Sequence, residues 1–251
     1  MSHGSTSGPP TLPAVPASGA SGRIGAEYYD SSGYFEEGAA HLLDPDSPFQ
    51  RYRVAEVLRI HEPVATDCVL DLGCGWGTFS AALAPRVKAV LAADFSLKSL
   101  ELTRKRLSQE ASGGRVRLLC ADAAALPLAD GSVDVVLAAD LVEHLYPDQT
   151  AAMVEECGRV LRAGGKLVLW TPNPSHVLER LRVIGVLRAD PSHVDYKTLP
   201  GLTTLLERNG FRIDRSGYRP SHLPVFRWAE RMLQGIVPLM RRRITVLASR
   251  I

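Results

Sequence analysis

The run Val69-Leu70-Asp71-Leu72-Gly73-Cys74-Gly75-Trp76-Gly77-Thr78 constrains this chain more than any other. Its apolar start reads as a buried strand, and three glycines at alternate positions read as a sharp turn that opens a helix. Glycines remove Cβ atoms, so backbone can approach a ligand, and the helix start offers N–H donors. The turn is therefore expected to hold a nucleotide-like group. Asp94 ends the next strand, 23 positions after Asp71, where a carboxylate can accept hydrogen bonds from both hydroxyls of a ribose. A dinucleotide fingerprint reads G-x-G-x-x-G, whereas this turn reads G-x-G-x-G and already carries an acid on its strand. Asp71 suits a cationic ligand better than a pyrophosphate.

Beyond the turn, strand-like runs alternate with helical patterns: Cys68 to Leu72, Ala89 to Ala93, Val116 to Cys120, Val133 to Ala139 and Lys166 to Trp170. Such alternation predicts an α/β fold with a parallel sheet, and right-handed crossovers put helices on both faces. Ser96 punctuates the start of one helix, and Gly164-Gly165 is expected to end the one containing Val160 and Leu161. Later strands are expected at Phe211 to Arg215 and Ile244 to Ala248, flanking a helical insert at about 219–242. With 45% hydrophobic residues in 251, the chain has enough apolar side chains for one sizeable core. From 48 to 251 it reads as one domain, entered through a helix over 48–61. Met1 to Gly22 is nearly all Gly, Ser, Thr, Pro and Ala, and reads as a disordered tail. Residues 23–47, with Tyr28, Tyr29, Tyr34 and Phe35, read either as a lid or as a segment packed on the domain. Cys68, Cys74, Cys120 and Cys157 form no C-x-x-C pair, which argues against a zinc knuckle or disulfide scaffold and for a cytoplasmic setting. No apolar run is long enough for a membrane span, and no export signal is expected.

On these motifs the chain resembles class I S-adenosylmethionine-dependent methyltransferases. The resemblance covers roughly 48–250 and rests on Asp71 to Gly77, Asp94, Cys120-Ala121-Asp122, Asp134-Val135-Val136 and Leu161 to Lys166. It implies a Rossmann-like fold, a seven-stranded mostly parallel sheet in the order 3-2-1-4-5-7-6, and S-adenosylmethionine as cofactor. It also implies that Gly73, Cys74, Gly75 and Gly77 line the methionine and ribose, with Asp71 near the cofactor ammonium. Asp94 and Phe95 then fall beside the ribose, Asp122 and Ala123 at the adenine, and Asp140 at the far end of the cofactor site. Ala163 stands where many relatives have proline.

The segment Asp140-Leu141-Val142-Glu143-His144 follows the fourth strand. If Leu141 opens an α-helix, Asp140, Glu143 and His144 share a face, and two carboxylates with an imidazole can hold a divalent cation such as Mg. The pentad resembles the acid-x-x-Glu-His segment of ubiquinone-pathway O-methyltransferases and of small-RNA 2′-O-methyltransferases. By that resemblance His193 is a fourth ligand or a general base, with Asp140 and His144 beside it as catalytic candidates. The same Glu-His pair also occurs in metal-free relatives, where it shapes the pocket.

Residues 174–190 and 226–243 mix apolar residues with arginines, ending in Arg241-Arg242-Arg243. Such faces fit a peripheral membrane contact, a pocket cover or a homodimer interface. A formal charge of +2 gives no polyanion footprint, and nucleic acid is not the expected partner. The expectation is methyl transfer to a small molecule, at oxygen. Nitrogen or carbon methylation, 2′-O methylation of RNA, and cofactor binding without turnover are the alternatives.

Overall fold

Strand β1 (Cys68–Leu72) has four consecutive buried residues and lies third in a seven-stranded sheet, between two other strands. The sheet also contains β2 (Ala89–Asp94), β3 (Val116–Cys120), β4 (Val133–Ala139), β5 (Leu161–Pro172), β6 (Phe211–Arg219) and β7 (Arg243–Arg250). Its order is β3-β2-β1-β4-β5-β7-β6, as the resemblance implied. The first five strands are parallel, while β7 runs antiparallel between β5 and β6. This computed structural model describes residues 22–31, 33–35, 44–109 and 113–251. The expected tail lies outside them except for Gly22, as do residues 32 and 36–43 of the 23–47 segment.

Alternate strand residues feed two separate apolar layers, which is why the central strands read as nearly continuous apolar runs. Val69, Val90, Val135, Leu137 and Val168 pack on one face with α2 (Pro48–Ile60) and α3 (Thr78–Leu83) through Val57, Ile60, Phe79 and Leu83. Leu70, Val136, Leu167, Leu169 and Val246 pack on the other with α5 (Pro147–Val160) and α7 (Leu199–Arg208) through Met153, Cys157, Leu202 and Leu206. Local signals agree with these bounds: Ser47 caps α2 by accepting from Gln50 N–H, and Thr198 caps α7 from Gly201 N–H. In α4 (Leu97–Gln109), Ser96 Oγ accepts from Ser99 N–H. No helix of the described residues is long and apolar enough to cross a membrane.

Two local expectations change. The helix before β5 stops at Val160, and Gly164-Gly165 bends the start of β5 instead. Gly164 has φ of 74°, and a Cβ on Gly165 would meet Arg162 O at 2.8 Å, so the pair makes a tight bend where the β4–β5 register shifts. The segment after β4 is only a single 3₁₀ turn, Val142–His144. Asp140 has φ of 56° and donates its N–H to Trp170 O, so strand pairing continues past Ala139 and no α-helix starts there. The insert between β6 and β7 forms α8 (Pro224–Leu233) and a 3₁₀ turn at Pro238–Met240, close to its expected place.

From the 23–47 segment, α1 (Ala26–Ser31) lies against α4, where Asp30 accepts from Ser96 Oγ and Lys98 N–H. Tyr28, Tyr29 and Phe35 are buried and gather Tyr34 and Trp76 into an aromatic cluster. The described part of the segment therefore packs on α4 and against Trp76 of the glycine turn.

Candidate active site

The loops after β1, β2 and β4 open on one side of the sheet into a cavity of about 1710 Å³. Ligand sites of open α/β sheets lie at this end, where strand order reverses. Ordinary small-molecule pockets are roughly 300–1000 Å³. This one has room for two molecules side by side.

One half is built by the glycine turn. Gly73, Gly75 and Gly77 all have positive φ, at 72°, 50° and 68°. Gly73 and Gly75 line the cavity with Cys74 and Trp76, and nothing lies within 4 Å of where a Cβ on Gly75 would sit. Asp94 is buried at the rim, accepting from Gly75 N–H at 2.9 Å and Ser96 N–H at 3.0 Å. Burial pushes its pKa up against those two bonds. Each oxygen keeps a further lone pair, enough for two hydroxyls. Phe95, Asp122 and Ala123 also line this half. Trp76 adds an indole N–H that is buried without an acceptor among the described residues.

Asp71 and Gly77 do not line the cavity, contrary to expectation. Asp71 lies behind the turn, where Ser80 Oγ donates to it at 2.6 Å and burial raises its pKa to about 6. The alternation of β1 turns its side chain into the sheet face that α3 covers. Gly77 permits a close approach to Thr103, whose Oγ1 donates to Gly75 O at 2.8 Å.

Asp140, Glu143, His144 and His193 all line the other half, but they do not form one group. Asp140 accepts from Arg53 Nε at 2.7 Å and from Arg243 Nη1 at 2.6 Å. Burial opposes its charge, yet Arg243 and Arg53 hold its pKa below the usual carboxylate range. The 3₁₀ turn, in place of an α-helix, carries it away from the shared face. That corrects its expected role as a metal ligand.

Glu143, His144 and His193 do converge, with one ligand-type atom from each within 4.8 Å of the others. Glu143 accepts from Thr171 Oγ1 at 2.9 Å, and burial, then Asp140, raises its pKa to about 8. His144 places Nδ1 3.1 Å from Ser192 O and 3.0 Å from Ser192 Oγ, with Tyr29 Oη at 3.2 Å. A carbonyl only accepts, so the proton is assigned to Nδ1 and Nε2 keeps its lone pair. Burial, then His193, lowers the His144 pKa to about 4. Tyr196 Oη donates to Glu179 at 3.2 Å and lies 2.9 Å from His193 Nδ1. That hydroxyl proton is committed to Glu179, so the proton is assigned to His193 Nδ1, and its Nε2 carries the lone pair 3.9 Å from Asp190 Oδ2. Burial lowers the His193 pKa, although Asp190 opposes the shift.

Arg53, Arg182, Arg242, Arg243, Glu179 and Tyr196 complete this half, although sequence reasoning gave none of them a role there. The Arg241-Arg242-Arg243 run carried a signal, but it read as a surface face. Only β7 shows Arg242 and Arg243 turned inward.

The fold is that of class I S-adenosylmethionine-dependent methyltransferases, and the stretch from β1 to the start of β5 belongs to that family. The family model described as a methyltransferase domain matches residues 69–165. The chain is 36% identical over 133 residues to a Mycobacterium tuberculosis protein named "Probable S-adenosylmethionine-dependent methyltransferase", covering 51% of this chain and 46% of that one. It is 33% identical over 158 residues to the ubiquinone biosynthesis O-methyltransferase of Thiobacillus denitrificans, covering 60% and 66%. The chain spans about half the length of the first of these relatives. Among solved structures, PH0226 of Pyrococcus horikoshii superposes with a TM-score of 0.65 at 18% identity, covering 90% of this chain and 99% of that one.

Proposed function

We propose that this protein transfers a methyl group from S-adenosylmethionine to an oxygen of a small molecule. The observation that carries this reading is a single cavity with a glycine-and-carboxylate half facing an imidazole half. The first half fits the cofactor: an open cradle at Gly75, lone pairs on Asp94 for a ribose, and the unpaired Trp76 N–H. Phe95, Asp122 and Ala123 would flank the adenine. Arg53 and Asp140, an ion pair beside the turn, match the carboxylate and ammonium of an amino-acid end. When bound, the cofactor supplies a methyl group activated by its sulfonium.

The protein's own residues then align an acceptor and take its proton. His193 is the base in this reading, its Nε2 lone pair next to Asp190 at 3.9 Å and its ring oriented through Tyr196 and Glu179. A lowered pKa keeps it neutral, and so able to accept a proton, at pH 7. Tyr28, Tyr29 and Phe35 roof the cavity and exclude water from the reacting groups. Relatives named demethylmenaquinone methyltransferase and ubiquinone biosynthesis O-methyltransferase support a small-molecule acceptor.

A second reading is favoured by the convergence of Glu143, His144 and His193, which would hold a divalent cation that orients the acceptor. Activity unchanged after exhaustive chelation removes it. For the primary reading, Asp94→Ala is expected to weaken binding of S-adenosylhomocysteine at least 100-fold by calorimetry, with loss of labelled methyl transfer. Unchanged affinity contradicts the cofactor assignment.

A further inference from the structure

Two carboxylates, one between the two halves of the cavity and one on the acceptor side, hold four guanidinium groups. Asp140 is shared by Arg53 and Arg243, and Glu179 is shared by Arg182 and Arg242. All four arginines line the cavity, and three are largely withdrawn from solvent, with side chains 9%, 15% and 14% exposed for Arg53, Arg243 and Arg242. The other acids at this end do not supply the missing counter-charge at contact: Glu143 takes its hydrogen bond from Thr171, and Asp190 takes its bonds from Ser192.

Each guanidinium has five donors. Arg243 directs Nη1 to Asp140, and Arg242 directs Nη1 to Glu179 at 2.5 Å, and no other acceptor for their side-chain N–H groups is found among the described residues. Neighbouring like charges are costly in a partly dry site unless an anion joins them. Burial, then Arg243, lowers the pKa of Arg242, the direction expected where a cation lacks enough counter-charge. A bound sulfonium adds another positive charge, so the cofactor deepens the imbalance and does not relieve it.

The position of this excess matters as much as its sign. Glu179 accepts from Tyr196, which contacts His193. The arginines thus adjoin the imidazole pair, on the acceptor side. Arg53 is set aside for the cofactor's amino-acid end, and Arg182, Arg242 and Arg243 remain.

We propose that Arg182, Arg242 and Arg243 form an anion-binding subsite that takes a carboxylate or phosphate group of the methyl acceptor, an inference that rests on the methyltransferase reading and narrows its substrate class. Guanidinium forks match both anions through paired N–H···O bonds. The anion fixes one end of the acceptor while His193 addresses the hydroxyl that is methylated.

The test uses the full chain loaded with S-adenosylhomocysteine and three fragments of similar body: benzoate, phenyl phosphate and neutral benzyl alcohol. At least one anion is expected to bind 10-fold or more tightly than benzyl alcohol by calorimetry. Comparison of benzoate with phenyl phosphate tells which anion the site takes. Arg242→Gln is expected to abolish the preference with S-adenosylhomocysteine affinity retained, and Arg242→Lys to keep part of it. Benzyl alcohol binding as tightly as both anions overturns the proposal, as does a preference that survives Arg242→Gln. The wild-type comparison decides the matter even if that variant does not fold. Should S-adenosylhomocysteine itself not bind, the cofactor reading falls, and the same titrations without it still judge the anion subsite.

Discussion

Gly77 and Gly75 both occupy left-handed backbone, yet a methyl group should act differently at each. At Gly77 a Cβ would lie 2.7 Å from Thr103 Cγ2 and 3.0 Å from its Oγ1, whereas at Gly75 it would meet nothing within 4 Å. The left-handed conformation alone costs an L-residue about 1–2 kcal/mol. Forcing an extra methyl into packed surroundings adds about 1–3 kcal/mol, and Thr103 is fully buried, so it has little room to give. Gly77→Ala is therefore expected to lose about 2–5 kcal/mol in urea unfolding, and Gly75→Ala only about 1–2 kcal/mol. Binding should reverse that order. The Gly75 methyl enters the cavity and weakens S-adenosylhomocysteine more, while Gly77→Ala acts through displacement of Thr103 from Gly75 O. Thr103→Ser removes the closest clashing atom and keeps the hydroxyl, so adding it to Gly77→Ala should return part of the lost stability. Equal destabilisation by the two glycine variants, or no gain from Thr103→Ser, would refute the assignment of close packing to one and an open cradle to the other.

The remaining predictions concern titration and surface. A His144 pKa lowered to about 4 means that the unfolded chain takes up a proton near pH 6.5 while the folded chain resists it. Stability should therefore fall as pH drops from about 6.5 toward 4, by up to about 3 kcal/mol, and His144→Gln should flatten that limb in denaturant melts. Glu143 acts in the opposite sense, because its raised pKa favours the protonated folded form and is increasingly costly as pH rises from about 4.5 to about 8. Glu143→Gln mimics the protonated acid at Thr171, and its stability advantage over wild type should grow with pH by a few kcal/mol; an advantage that instead shrinks removes the buried neutral acid. If His193 is the base, its lowered pKa places the decline of kcat/KM below pH 6.5, and His193→Gln should lower kcat far more than it changes cofactor affinity. A wild-type acid limb above pH 7 contradicts that role. Val225, Phe226, Trp228, Met232 and Ile236 are exposed beside Arg227 and Arg231 in and after α8, and Val183, Ile184 and Val186 are exposed at the end of α6 (Val177–Val183) and just after it. Co-sedimentation with phosphatidylglycerol vesicles is expected, with a several-fold loss in Trp228→Ser; equal recovery in the supernatant with and without vesicles refutes it.

The sequence alone determined the layered α/β architecture and the glycine turn with Asp94 beside it, because both rest on local signals. Apolar runs such as Val133 to Ala139 identify parallel strands, and glycines at alternate positions identify a turn whose backbone only glycine adopts freely. Asp94 was legible for the same reason, since its place at the end of a strand fixes where its side chain points. Tertiary structure decided the acceptor half. Asp140 read as a ligand on a helix face, but a left-handed residue at the end of β4 broke that spacing and gave its carboxylate to Arg53 and Arg243. Those arginines lie 87 and 103 positions away in the chain, and Glu179, Tyr196 and His193 meet only because the loop after α6 (Val177–Val183) folds back onto the 3₁₀ turn after β4, where Val194 N–H donates to Glu143 O. Charge pairing in a desolvated pocket depends on distance in space, which no periodicity or local spacing encodes.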